Sequence, residues 1–228
     1  VDAGATRINI PDTVGFATPW EYAARIAEIV AAVPEGVRVA AHCHDDLGLA
    51  TANTLAAVSA GAREVQVTVN GIGERAGNTA FEEVAALLAM KNAGRTHIRL
   101  REIRGVSKTV AEFTRMPVPP NKAIVGAHAF AHSSGIHQDG ILKDPRTYGF
   151  LQPDAVGVEG HRLVLTARSG RSALAAVARS HGYDLSGEKL DAAYREFLVA
   201  ADSCEGAVDD ATIREVIKRA AERKSVSA

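Results

Sequence analysis

Apolar residues in the first hundred positions fall into short β-branched runs separated by stretches with helical spacing. Thr6-Arg7-Ile8-Asn9-Ile10 reads as a strand stopped at Pro11. Thr18-Pro19 offers an N-cap and a first-turn proline for a helix reaching about Val33, with Ile26, Ile29 and Val30 as its apolar stripe. The same logic predicts a strand over 37–42, a helix over 48–60, a strand over 64–69 and a helix over 79–91. Strand and helix alternating in this way is the rhythm of βα repeats with a parallel sheet. Ala60-Gly61-Ala62-Arg63 before the third strand repeats Ala3-Gly4-Ala5-Thr6 before the first, a weak periodicity consistent with a (β/α) barrel.

Beyond residue 97 the rhythm breaks. Arg101 to Arg115 makes an amphipathic helix through Ile103, Val106, Val110 and Phe113, ended by Met116-Pro117-Val118-Pro119-Pro120, the best candidate boundary. Further helices are predicted over 169–181, 186–202 and 208–223, the second with a core face of Leu190, Tyr194, Phe197 and Leu198. The polar tail from Arg223 to Ala228 is expected to fray.

Composition narrows the function classes. Among 228 residues, 26 Lys and Arg against 27 Asp and Glu leave a net charge of −1, so no electrostatic case exists for nucleic acid or an anionic membrane. Two cysteines, Cys43 and Cys204, make no disulfide framework, and a reducing, cytoplasmic setting is expected. No apolar run of about 18 residues and no signal-peptide pattern occurs. The chain opens Val1-Asp2-Ala3-Gly4-Ala5 without Met, inside what reads as a helix end, so the expectation is that its beginning is missing.

The chemistry concentrates in three segments. His42-Cys43-His44-Asp45-Asp46-Leu47-Gly48 follows the second predicted strand; on extended backbone His42 and His44 point the same way and could grip one divalent metal. The plainer alternative is two half-buried histidines bonded to neighbours. Asp45 and Asp46 favour the metal, because ligating imidazoles commonly donate their other N–H to a carboxylate. Imidazole with oxygen ligands suits Mn²⁺, Zn²⁺, Co²⁺ or Mg²⁺, while Cys43 points to the opposite face and reads as packing. Asn70 to Asn78 carries glycines spaced GxGxxxG, which is not a dinucleotide fingerprint but suits a tight loop over the sheet edge. Asn78 reads either as an oxygen ligand or as an N-cap for the next helix. His132 and His137, in a Gly/Ser-flanked loop, read either as surface residues or as mobile acid–base groups.

Ile10-Pro11-Asp12-Thr13-Val14-Gly15, the His42 to Gly48 motif, Asn70 to Asn78, Phe130 to Gly140 and Leu165 to Arg171 together resemble the 2-isopropylmalate synthase family, in order and over nearly the whole chain. The resemblance implies an α/β fold: about the last three βα units of a TIM (β/α)₈ barrel, followed by a mostly helical linker region. It divides the chain into a partial barrel at 1–97, a helix with the His-containing linker at 98–150, and a helical subdomain at 151–228. It implies condensation of acetyl-CoA with 2-oxoisovalerate in leucine biosynthesis, by a homodimer. Metal ligands would be His42, His44 and Asn78; Thr13 would lie beside the oxo acid, Glu74 near the acetyl group, and His137 would serve acid–base chemistry, in its own or the neighbouring subunit.

The chain departs from that family in one respect. Nothing matches the Arg-Asp-Gly-Glu-Gln motif that the family carries on its first barrel strand, with a carboxylate ligand and a catalytic arginine. The first strand here corresponds to about the sixth of the barrel, so the chain alone is expected to be inactive and prone to aggregate through open sheet edges. Homocitrate or citramalate synthase, or a related CoA lyase, is the rival enzyme reading. A non-catalytic partner protein with a vestigial metal loop is the rival of another class.

Overall fold

The computed structural model describes residues 1–91 and 93–223, which form two compact units: residues 1–129 with 156–158, and residues 130–155 with 159 onward. In the first unit β1 (Arg7–Asp12), β2 (Arg38–Cys43) and β3 (Glu64–Gln66) make a parallel sheet in the order β1-β2-β3, connected by α1 (Pro19–Ala32) and α2 (Ala50–Ser59). Asp12 pairs with Cys43 and His42 with Gln66, so the carboxyl ends of the three strands lie side by side.

Local chemistry accounts for most element ends. The Glu21 carboxylate accepts the Thr18 N–H at 2.9 Å and opens α1 where the Thr-Pro pair predicts. Pro11 does not end β1, which continues to Asp12; an edge strand tolerates a missing N–H. β3 is shorter than expected, because the chain turns through a 3₁₀ segment at Val69–Gly71 with Asn70 left-handed at φ 63°.

Alternation on β2 divides its side chains. Val39, Ala41 and Cys43 are buried with Tyr22 and Ile26 of α1 and Ala50 and Ala57 of α2, whereas His42 leaves on the other face. α3 (Phe81–Met90) and α4 (Ile103–Thr114) complete the unit around Ala85, Ile103 and Val125. Val118, from the proline cluster, packs there too, so that segment is part of a core rather than a boundary; the chain divides after Ala129, not near 97. The predicted stripe on α4 is used only at its start: Ile103 is 2% exposed, but Phe113 is 86% exposed.

The second unit pairs β4 (Ala131–His132) in parallel with β5 (Arg162–Leu163) and adds α5 (Gly135–Lys143), α6 (Arg171–Ser180), α7 (Gly187–Asp202) and α8 (Asp210–Glu222). The segment read as a His-bearing loop is therefore a strand and a helix. Asp209 caps α8 by accepting the Thr212 N–H at 2.9 Å. Phe197 is fully buried among Leu165, Leu174, Val216 and Ile217, with Leu190, Tyr194 and Leu198 packed half-buried beside it. Of the tail expected to fray, only Arg223 is among the described residues. Among those residues no helix is long and apolar enough to cross a membrane. Phe197→Ala is expected to cost about 3–5 kcal/mol, read as a lower urea midpoint for unfolding of the α6–α8 core.

Candidate functional site at the strand ends

Backbone hydrogen bonds bring three loops together past the strand ends. Asp12 O accepts the N–H of both Gly15 and His44, at 3.2 Å each, and Asp45 N–H reaches Gly77 O at 2.9 Å. His44 and Asn78 form a β-bridge. Two glycines make the approach possible. A Cβ on Gly15 (φ 60°) would stand 2.7 Å from Asp46 N, and one on Gly77 (φ 97°) would run into the Gly71 carbonyl oxygen.

His42 and His44 face each other, with Nε2 to Nε2 at 3.1 Å and ring centroids 5.0 Å apart. His42 Nδ1 lies 2.9 Å from Gln66 Oε1; as the donor there, it leaves its Nε2 as a bare lone pair. His44 Nδ1 and Asn78 Oδ1 are buried with no hydrogen-bond partner. Metal–nitrogen bonds of about 2.0–2.1 Å place neighbouring ligand nitrogens roughly 3 Å apart, so the spacing of the imidazole pair fits a divalent cation, and the orphaned carboxamide oxygen is of the right chemistry to join it. No group of three or more His, Cys, Asp or Glu side chains converges among the described residues, so Asn78 would be the third donor. Asn78 is not the helix cap: α3 begins at Phe81 with Ala80 in the cap position. Cys43 is buried in the apolar core, where burial pushes its thiol pKa up, and it takes no part in the site.

The flanking aspartates have other duties than orienting imidazoles. Asp45 accepts the Ala50 N–H at 2.9 Å and so starts α2. Asp46 pairs with Arg75, Nε to Oδ1 at 2.7 Å and Nη2 to Oδ2 at 3.0 Å, and this hydrogen-bonded guanidinium holds the Asp46 pKa below its ordinary value. Arg75 Nη2 also donates to Thr13 O at 2.6 Å. One guanidinium therefore staples the loops after all three strands, a role for Arg75, and for Gln66 beside His42, that residue type and spacing did not reveal. Thr13 and Glu74 are both exposed at this end, with Glu74 Oε2 3.7 Å from Arg75 Nη1.

His132 and His137 belong to the second unit. His132 Nε2 lies 3.1 Å from His161 Nδ1, and His161 Nε2 is buried without a partner. Burial first, and for His132 the neighbouring His161 and His137, lowers both pKa values from 6.5. His137 is exposed on α5, its ring centroid 4.3 Å from that of Tyr148. Gln138 is buried, and its Nε2 donates to His132 O and Val164 O, each at 2.9 Å, tying α5 to both short strands.

Residues 1–110 match the HMGL-like family, and residues 124–205 match the family described as Homocitrate synthase post-HMGL domain-like. The first part of the chain is thus similar to the HMGL-like family, and the part that follows is similar to the post-HMGL region. Over most of its length the chain is also similar to curated 2-isopropylmalate synthases. It is 50% identical to that of Haemophilus influenzae (strain Rd) over 207 residues, 89% of this chain and 40% of the relative. It is 49% identical to that of Pyrococcus abyssi over 207 residues, 89% of this chain and 43% of the relative. The chain therefore spans well under half the length of these curated relatives. A solved HMG-CoA lyase from Bacillus subtilis matches with a TM-score of 0.47 and 25% identity over 53% of this chain and 42% of that one.

Arg75→Ala is expected to leave global stability nearly unchanged, as for an exposed ion pair, while faster proteolysis within 72–78 reports the freed loop. For the histidine pair the sign follows from the lowered folded pKa values. Their stabilisation is complete above 6.5 and falls as pH drops from 6.5 toward the folded values, because the unfolded chain takes up protons first. His161→Leu should flatten that acid-side loss in pH-dependent melting.

Proposed function

We propose that this chain carries the carboxyl-end catalytic loops of a 2-isopropylmalate synthase, its three βα units being the last part of a (β/α)₈ barrel. The observation that carries the reading is the facing Nε2 pair of His42 and His44, with Asn78, bridged to His44 through the backbone, leaving its Oδ1 unbonded, in a sequence half identical to such synthases. The reaction joins acetyl-CoA to 2-oxoisovalerate and consumes one water, giving 2-isopropylmalate and free CoA, a cytoplasmic step of leucine biosynthesis. His42, His44 and Asn78 would hold Mn²⁺, Mg²⁺, Zn²⁺ or Co²⁺; when bound, such a cation supplies Lewis-acid polarisation of the keto carbonyl.

The remaining steps fall to side chains. Thr13 would bind beside the oxo acid, its position fixed through its own carbonyl by Arg75. Glu74, at the exposed tip of the loop, would act near the acetyl methyl, whose proton must be removed before carbon–carbon bond formation. His137 would give and take protons as the alkoxide forms and the thioester is hydrolysed. A homodimer is part of the same proposal, with His137 serving the site of its own or the neighbouring subunit.

Titration of the chain with Co²⁺, followed by visible absorption, tests the metal reading. His42→Ala and His44→Ala should abolish binding. Asn78→Ala should weaken it at least roughly tenfold, a loss seen even for outer-shell partners. Wild-type chain that binds no Co²⁺ would sink the reading. In a protein containing this chain, CoA release should require 2-oxoisovalerate and fall about 10²–10⁴-fold with His137→Ala. Preference for 2-oxoglutarate or pyruvate would reassign the reaction to homocitrate or citramalate synthesis.

A further inference from the structure

Glu82 on α3 is fully buried, although no metal or substrate role falls to it. A carboxylate is costly in such a place unless its hydrogen bonds and charge are met. Its Oε2 accepts the Asn70 N–H at 3.0 Å; its Oε1 makes no hydrogen bond and lies 3.6 Å from Lys122 Nζ. Burial raises its pKa, a further mark of how little solvent reaches it.

The partner is equally unusual. Asn70 is left-handed, a conformation that a non-glycine residue adopts only with support. Its side chain is gripped at both ends by Ser107 of α4: the Ser107 hydroxyl donates to Asn70 Oδ1, and Asn70 Nδ2 donates to Ser107 O at 3.0 Å. Three hydrogen bonds therefore fix one residue, and from it the loop over the strand ends departs. That loop returns where Asn78 N–H meets Gly71 O at 3.0 Å.

We propose that Glu82 and Ser107 are positioning residues for the strand-end site: by pinning Asn70 they set the course of the loop bearing Glu74, Arg75 and Asn78, and so fix where Asn78, bridged to His44, presents its carboxamide. The anchor stands on the hydrogen bonds alone; its consequence for metal binding rests on the metal reading above. A carboxylate kept only to fill space would be replaced by an apolar side chain at little cost. Here it accepts the backbone N–H of the left-handed residue from which the loop departs.

Glu82→Gln and Ser107→Ala in the full chain test this, with amide hydrogen exchange of the 71–79 segment, exchange of α1 as the internal control, and Co²⁺ titration of the same samples. Exchange in 71–79 should quicken about tenfold or more while α1 stays unchanged. Co²⁺ affinity should drop by roughly tenfold. Loop exchange unaltered in a folded variant overturns the proposal. So does loosening of the loop and α1 together, which marks Glu82 and Ser107 as general supports. Ser107→Ala removes only a hydroxyl and decides the matter if Glu82→Gln does not fold. Wild-type chain that binds no Co²⁺ overturns the metal reading, and the exchange result still decides the anchor.

Discussion

Because successive side chains of a strand leave on opposite faces, β2 can bury Val39, Ala41 and Cys43 under α1 and α2 only by turning His42 to the other side. His44 keeps that phase one step past the strand, where its backbone is held by Asp12 O and bridged to Asn78. The apolar core and the imidazole pair are thus two results of one constraint. A one-residue slip in β2 would place histidines among the helices and Cys43 at the site. The parallel register of β1, β2 and β3 extends the constraint sideways, since it brings Pro11, His42 and Gln66 level at the same edge, with Asp12 one step further on.

At that edge the backbone turns away from the sheet, and every N–H it frees needs an acceptor. The acceptors come from neighbouring loops: Asp12 O for His44, Gly77 O for Asp45, Cys43 O for Thr79. Side chains repeat the theme with charge. Asp12 accepts from Phe16 N and Ala17 N, Asp45 from Ala50 N, and Asp46 from Arg75, which in turn reaches Thr13 O. The three aspartates of this site are thereby occupied in shaping loops, while His44 Nδ1 and Asn78 Oδ1 are buried without partners.

The second unit solves a different problem. Its two short strands offer little sheet, so buried side chains tie them to the helices: Gln138 bonds the carbonyls of His132 and Val164, and the Ser169 hydroxyl lies within reach of Ser133 O and Val164 O. The His132–His161 contact belongs to this framework, whose burial lowers the pKa of both rings, while His137, one residue from the buried Gln138, is exposed. Neighbouring positions on one helix thus separate a buried support from an exposed imidazole.

Much of this was legible along the chain. Alternation, the Thr18-Pro19 start of α1 and the spacing of Leu190, Tyr194, Phe197 and Leu198 act through neighbours close in sequence, so the order of elements and the common direction of His42 and His44 follow from the residues themselves. What only the tertiary structure decided involves partners far apart. Arg75 finds Asp46 and Thr13, Gln66 finds His42, and Glu82 with Ser107 finds Asn70, because parallel strands bring together loops that are distant along the chain. The His-bearing loop became a helix, and the proline cluster became core rather than boundary, for the same reason. Composition shows that such groups can bond or pack, but which partner they meet depends on where the fold carries each backbone, and no local pattern holds that information.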